Sequence, residues 1–414
     1  MSSSLPDRIR EELTRYSFVS TGYSSPNPPV ACVIEDAKTG EILASGFTQR
    51  TGGNHSEREA YRILREKFPS GDIPSHNAYV TLEPCSHHGK TPPCIDLFLK
   101  EKPIRLEYGW RDTNPLVAEN SGLEKLSKIG IQVVQNSELA EIASKFVFGF
   151  RSRIDKDRPA YLLKTTVSKE GYFSTGVGSR EKISSLESDF FLSMLRAKVD
   201  AVLVGPNTVK VDDPGLDFRV PDFSYPNVSK HIEGKESGFS GLVSALLEYS
   251  AEKEIFQIHQ DKEKDYQTLR VFFLPAQEFA SEAFLEKQSK INERIGKKSA
   301  AFFLDSNKSY DPSFINRLEE LSKFPYERID FSDVLKISRI LCGWGINSAM
   351  IEGGNFLYKA FSPILSEEDA ILRVKSSTVS FTKGILPEWA GNFSMEWKAE
   401  IASDLWEVGR CSQG

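Results

Sequence analysis

Cysteine is scarce in this chain. There are five in 414 residues, Cys32, Cys85, Cys94, Cys342 and Cys411, too few for a disulfide scaffold to replace a hydrophobic core. Long apolar runs are missing as well. None approaches the roughly 18 residues needed to cross a bilayer, and the opening MSSSLPDRIREELTRY lacks the apolar centre of a signal peptide. The expectation is a cytoplasmic protein with no membrane partner. An excess of positive charge is also absent: 52 Lys and Arg against 58 Asp and Glu leave a net charge of −6. That excludes the chain-wide basic footprint of a nucleic-acid binder but not a local basic pocket for a phosphate. No fixed-period repeat is visible, which excludes a solenoid.

What is present is an ordinary globular composition, 39% apolar and 27% charged, in a length that suggests two or three domains at roughly 150 residues each. Over residues 1–150 strand and helix signals alternate. NPPVACVIED and TGEILASGFT read as strands. Ser56 to Lys67 reads as a helix, with Ala60, Ile63 and Leu64 at i, i+3, i+4 spacing. NAYVTLEP is a short strand, CIDLFLKE a helix with Pro93 at its first turn, Ile104 to Gly109 a strand, SGLEKLSKIG a helix and IQVVQ a last strand. The charged stretch RSRIDKDRP, 151–159, reads as a linker. The α/β pattern then restarts over 160–414: strands at AYLLKTTVS, VDAVLVG, LRVFFLP, KSAAFFLD, INSAMIEGG and SDLWEVGRC, and a helix at SLESDFFLSMLRAK. NTVKVDDPGLDFR reads as a polar loop. Residues 221–268 read as a long, mobile, partly helical insertion. Strands alternating with helices imply layered α/β architecture in both domains.

Chemistry concentrates in N-H-S-E-R-E-A at 54–60 and T-L-E-P-C-S-H-H-G-K-T-P-P-C at 81–94. An H-x-E alone is common, and two cysteines nine apart can be small buried apolar residues. Together His55, Cys85 and Cys94 supply one nitrogen and two thiolates, a three-ligand set that suits Zn²⁺ and leaves a fourth position for water. Such a metal lowers the pKa of its water to about 7. Glu57, two residues past His55, reaches the water as a proton shuttle. This is the logic of the zinc deaminases, and Pro84 and Pro93 before the two cysteines fit their signature. A structural zinc site would be closed by four protein ligands, and no further His or Cys stands at a persuasive spacing unless His87 or His88 serves. A nucleic-acid or free-nucleoside deaminase is the other reading. The acidic charge argues against the first and the phosphate-ready loop against the second. In the second half, Lys164, Arg196, Arg219 and Asp212 are candidates for a charged pocket. Glu352-Gly353-Gly354 ends an apolar strand in a way that allows close backbone approach to a phosphate.

With SPNPPVACVI, NHSEREA and AYVTLEPCSHHGKTPPC, residues 25–94 resemble the deaminase domain of the bifunctional riboflavin-biosynthesis deaminase–reductases. With LKTTVS, ISS, LRAK, VLVGPNTVKVDDPGLDFR and GINSAMIEGGNFL, residues 160–220 and 345–362 resemble their reductase domain. The resemblance implies a cytidine-deaminase-like three-layer αβα domain followed by a dihydrofolate-reductase-like α/β domain. It implies zinc-dependent deamination of a diaminopyrimidinone ribosylamine phosphate, then NADPH-dependent reduction of the ribosyl chain to a ribityl chain. The alternative is a chain active only in the first step, with a degenerate reductase-like domain. The resemblance assigns Asn27, His87, Lys90 and Thr91 to the deaminase substrate and Lys164, Ser184, Arg196, Asp212, Arg219 and Glu352 to the reductase substrate. It assigns Ser168, Thr208, Gly353 and Gly354 to NADPH. The implied partners are a small phosphorylated pyrimidine and further copies of the chain, as a dimer or tetramer. The pattern departs from the family at Ala31 and Ser56, at S-K-E-G over 168–171, and at Lys182.

Overall fold

The computed structural model describes residues 4–86, 92–113, 122–178, 181–220 and 232–412. The chain divides into two compact units, Met1–Lys156 and Asp157–Gly414.

The first unit runs α1 (Asp7–Ser20), β1 (Ala31–Asp36), β2 (Ile42–Phe47), α2 (Ser56–Lys67), β3 (His76–Leu82), α3 (Cys94–Glu101), β4 (Arg105–Trp110), α4 (Gly122–Lys128), β5 (Gln132–Gln135), α5 (Ser137–Phe146) and α6 (Phe148–Lys156). Its sheet has the order β2-β1-β3-β4-β5. β1 is antiparallel to β2 and β3, and β3, β4 and β5 are parallel. Side chains alternate across a strand, so Cys32 and Ile34 of β1 join a core with Ala60, Tyr61 and Leu64 of α2 and Ile95 and Phe98 of α3. α1 and α5 pack on each other and on the sheet, which makes three layers. One close approach sets the position of α2: a Cβ on Gly46 would stand 2.4 Å from the Ala60 nitrogen and 2.5 Å from the Ser56 carbonyl. Only a glycine in β2 lets the first turn of α2 lie against the strand.

The second unit runs β6 (Ala160–Val167), α7 (Leu186–Arg196), β7 (Ala201–Val204), α8 (Pro206–Asp212), β8 (Ile232–Gly234), α9 (Gly238–Tyr249), α10 (Lys253–Asp261), β9 (Leu269–Leu274), α11 (Glu282–Ile295), β10 (Ala300–Asp305), α12 (Pro312–Leu321), β11 (Glu327–Ile329), α13 (Val334–Gly343), β12 (Ser348–Glu352), α14 (Asn355–Phe361), β13 (Ala370–Ser376), β14 (Asn392–Ile401) and β15 (Asp404–Ser412). Ten strands form one sheet in the order β11-β10-β9-β7-β12-β6-β13-β15-β14-β8. The strands from β11 to β13 are parallel to their neighbours and the last three antiparallel. β12 lies between β7 and β6 and is buried along its whole length, as a central parallel strand requires. Its pairing sets Glu352 opposite Lys164, at the carboxyl ends of adjacent strands, where open α/β sheets hold their ligands.

Three segments differ from their sequence reading. Residues 151–156 are not an extended linker. The aromatic run ahead of them keeps Phe148, Phe150 and Ser152 buried, and the helix continues to Lys156. Residues 206–212, read as loop, form a helix that begins at a proline in its first turn, where the missing N–H costs nothing. The described part of the insertion is ordered: α9 buries Phe239, Leu242, Val243, Leu246 and Leu247 and packs against α7 and β15. Residues 221–231 lie outside the described residues.

Candidate functional site

The first site gathers at the amino ends of two helices. His55 is the N-cap of α2 in extended conformation. Cys94 opens α3 immediately after Pro93. Cys85 follows β3 by way of Glu83 and Pro84, and its carbonyl accepts the Ile95 amide at 3.2 Å. The Cys94 amide donates to the Cys85 sulfur at 3.3 Å. Arg58 of α2 holds the approach to α3, donating to the carbonyls of Pro92 at 3.1 and 3.0 Å and of Pro93 at 2.9 Å.

His55 Nδ1 lies 3.6 Å from the sulfur of Cys85 and 3.6 Å from that of Cys94, and all three donor atoms fall within 4.8 Å of one another. A tetrahedral zinc with bonds of about 2.3 Å to sulfur and about 2.05 Å to nitrogen sets its S···N edge at about 3.6 Å. The donor set and its spacing therefore fit Zn²⁺, with three of its four corners supplied among the described residues. Among the described residues this is the one His/Cys/Asp/Glu group with metal-holding geometry. A hydrogen bond from Cys94 and a second from His55 hold the Cys85 thiol at about 4 despite burial. The same Cys85 hydrogen bond and burial push the Cys94 thiol up.

Glu57 is 4% exposed. Burial raises its carboxyl above the usual range, and the Cys85 charge adds to the rise, so it is disposed to carry a proton. Ser56 Oγ donates to its Oε2 at 2.9 Å. Asn27 stands in the turn ahead of β1, half-buried, with its backbone N–H donating to the Ser24 carbonyl at 3.1 Å. His87, Lys90 and Thr91 lie outside the described residues. His76 has a structural explanation. It is buried, with Nε2 2.9 Å from the Tyr61 hydroxyl and Nδ1 2.9 Å from the Pro74 carbonyl.

The second site forms where β6, β12 and α7 meet. Arg196, the last residue of α7, grips Glu352 with two bonds, Nε to Oε1 at 2.7 Å and Nη2 to Oε2 at 2.8 Å. Burial alone would raise Glu352, but Arg196 and Lys164 pull it down to about 2. Burial lowers Lys164, with the Glu352 charge opposing. The Tyr358 hydroxyl of α14 donates to the Lys164 carbonyl. Ser184 donates to Asp189, on which Lys182 also rests at 3.3 Å. The Asp189 charge acts on both Lys164 and Arg196. Lys164, Ser184, Arg196 and Glu352 thus belong to one charged cluster. Asp212 closes α8, and Arg219 pairs with Asp217 at 2.7 Å. Thr208 and Gly353 face each other so closely that a Cβ on Gly353, at φ +109°, would stand 2.2 Å from Thr208 Oγ1. Gly354 caps α14. Ser168 is tied instead to Glu170, at 2.9 Å.

Sequence reasoning missed Asp189 and Asp217. A signal existed for the first: Asp189 stands two helical turns before Arg196 on α7 and so shares its face.

Two family models match the chain. Residues 11–108 match the cytidine and deoxycytidylate deaminase zinc-binding region, and residues 159–362 match the RibD C-terminal domain. The riboflavin biosynthesis protein RibD of Escherichia coli (strain K12) is 39% identical over 194 residues, 47% of this chain and 50% of that protein. The RibD of Actinobacillus pleuropneumoniae is 36% identical over 207 residues, 50% of this chain and 52% of that protein. The chain thus spans about half the length of the curated relatives it matches. A Thermotoga maritima diaminohydroxyphosphoribosylaminopyrimidine deaminase/5-amino-6-(5-phosphoribosylamino)uracil reductase superposes with a TM-score of 0.71 at 25% identity, over 97% of each chain. An Acinetobacter baumannii RibD superposes with a TM-score of 0.68 at 22% identity, over 97% of this chain and 98% of that one, and shares the fold. With a zinc-binding deaminase region ahead of a RibD C-terminal domain, this chain belongs to the RibD family of riboflavin-biosynthesis proteins.

Proposed function

We propose that the chain carries out two steps of riboflavin biosynthesis. The first is hydrolytic deamination of 2,5-diamino-6-ribosylamino-4(3H)-pyrimidinone 5′-phosphate. The second is NADPH-dependent reduction of the ribosyl chain to give 5-amino-6-ribitylaminouracil 5′-phosphate. The observation that carries the proposal is the convergence of His55 Nδ1, Cys85 Sγ and Cys94 Sγ beside the buried Glu57.

His55, Cys85 and Cys94 hold Zn²⁺. Bound zinc supplies a Lewis acid that makes hydroxide available near neutral pH. Glu57 takes the proton from the attacking water and returns it to the departing amine, a role its raised carboxyl supports. Asn27 offers an amide edge to the pyrimidine, and Lys90, His87 and Thr91 hold the substrate's phosphate end. In the second unit Lys164, Ser184, Arg196, Asp212, Arg219 and Glu352 line the ribose-phosphate pocket. Ser168, Thr208, Gly353 and Gly354 hold the cofactor, with open space where a Cβ on Gly354 would stand letting a phosphate approach backbone. Bound NADPH supplies hydride to C1 of the opened ribosyl chain. The Glu352–Arg196–Lys164 cluster orients that chain by charge-assisted hydrogen bonds.

The reductase unit associates with further copies of the chain as a dimer or tetramer, which light scattering tests. Its water-soluble phosphorylated substrates support a cytoplasmic setting, which fractionation tests. Among the described residues no helix is long and apolar enough to cross a membrane.

The decisive experiment incubates the protein with the diaminopyrimidinone substrate and follows ammonia release and NADPH absorbance separately. Both signals are expected, ammonia first. Ammonia without NADPH oxidation would leave only the first step, and neither signal would overturn the proposal.

A further inference from the structure

Residues 213–220 have no regular secondary structure, yet they are clamped along their length. Lys287 of α11 donates to the Asp213 carbonyl and pairs with its carboxylate at 3.1 Å. Gln288 donates to the Pro214 carbonyl at 3.0 Å. Gln267 accepts the Phe218 amide at 3.2 Å and donates to the Phe218 carbonyl at 2.8 Å. Ser193 of α7 donates to the Arg219 carbonyl at 3.2 Å.

At the centre of this segment one carboxylate oxygen serves two arginines. Asp217 Oδ2 accepts Arg219 Nε at 2.7 Å and Arg294 Nη2 at 2.7 Å. The Asp217 side chain is only 5% exposed, whereas that of Arg219 is 62% exposed. Arg294 is fixed in turn by the Phe218 carbonyl at 3.3 Å and by Glu263. Glu263 accepts the Val220 amide at 3.2 Å. Asp217 also lies within electrostatic reach of Arg196 and Arg270.

A guanidinium has five N–H donors in a planar fork. With Nε committed to a buried acceptor, the four donors on the Nη edge remain for an outside partner, the arrangement that grips a phosphate monoester in bidentate fashion. An unrestrained arginine would have to give up rotamer entropy on binding. Here the protein has immobilised that side chain in advance.

We infer that Asp217, held by Arg294, is a positioning residue that fixes the Arg219 guanidinium edge-on to the phosphate end of the sugar-phosphate substrate. The inference rests on the pocket assignment proposed above and adds two residues, Asp217 and Arg294, that no sequence pattern picked out.

The test uses the full chain with D217N, which keeps an oxygen for Nε but not the charge that holds two guanidiniums, and R294A as an independent route to the same loosening. Ribose 5-phosphate binding is measured by calorimetry, and reductase kinetics with phosphorylated and dephosphorylated substrate. For D217N we expect ribose 5-phosphate to bind about tenfold more weakly. KM for the phosphorylated substrate should rise about tenfold with kcat within threefold, while KM for NADPH and for the dephosphorylated substrate stays unchanged. R294A should move the same quantities in the same direction, and D217N added to R219A should cost nothing further. Unchanged ribose 5-phosphate affinity in both variants would overturn the inference, as would equal penalties on phosphorylated and dephosphorylated substrates. If the wild-type chain oxidised no NADPH but D217N still weakened ribose 5-phosphate binding, the positioning role would stand and the reductase reading would fall.

Discussion

Glu57 and Glu352 show how one side-chain type is shifted in opposite directions by its surroundings. Glu57 is buried beside a thiolate and its carboxyl is raised. Glu352 is buried between Arg196 and Lys164 and is held at about 2. For the first, E57Q should retain zinc by elemental analysis and lose ammonia release by a factor of about 10²–10⁴, the usual contribution of general acid–base catalysis. C85S should instead lose the metal, and full zinc occupancy in that variant would contradict the ligand assignment. For the second, the sign follows from linkage: a carboxyl depressed in the folded state adds stability above its unfolded value of about 4.3, and that stability fades as pH falls toward 2. E352Q leaves two half-buried cations short of a partner, so it should cost about 1–3 kcal/mol at pH 7 by urea unfolding. The gap from wild type should narrow between pH 4 and pH 2. The convergence of His55, Cys85 and Cys94 was legible from the sequence because few residue types at few spacings make a three-ligand zinc set. Asp217 was not legible, since its role depends on Arg294, which is 77 positions away in the chain.

At the scale of elements, the periodic segments read true. α2 runs from Ser56 to Lys67 and α3 starts at Cys94 after Pro93, as spacing and proline chemistry indicate. The misreadings fall where local propensity and tertiary packing disagree. α8 carries Asn, Thr, Val and Asp, poor helix formers, and forms over a proline start with Val209 buried. α9 sits in a stretch whose flanks are Ser-, Gly- and Lys-rich, and burial rather than composition makes it a structural member. Removing 232–262 should therefore lower the thermal midpoint of the second unit while leaving zinc content untouched; an unshifted midpoint would show the helix to be dispensable. The turn after β12 has the reverse character, with little core value and tight geometry. G353A must accept a positive φ and a Cβ that Thr208 Oγ1 already crowds, a strain of about 1–3 kcal/mol. KM for NADPH should rise severalfold in that variant with ammonia release unaltered.

The whole molecule consists of two units, each with its own buried core. Chelation should lower the midpoint of one of two calorimetric transitions, because an ion held only by the folded state stabilises the unit that binds it; a shift in both would mean the units melt together. The ten-stranded sheet has a further consequence for solution behaviour. β14 is ten residues long, and among the described residues β8, the outermost strand, is three residues long and pairs with it at Trp397–Ala399. β8 ends at a glycine whose added Cβ would stand 2.2 Å from the Glu396 carbonyl, and its Glu233 meets Lys398 at 3.0 Å. So short and charged a border offers an incoming strand little ladder to extend. A variant without the insertion would leave β14 without its partner at Trp397–Ala399, and it is expected to cloud at concentrations where the intact chain stays clear, which light scattering checks.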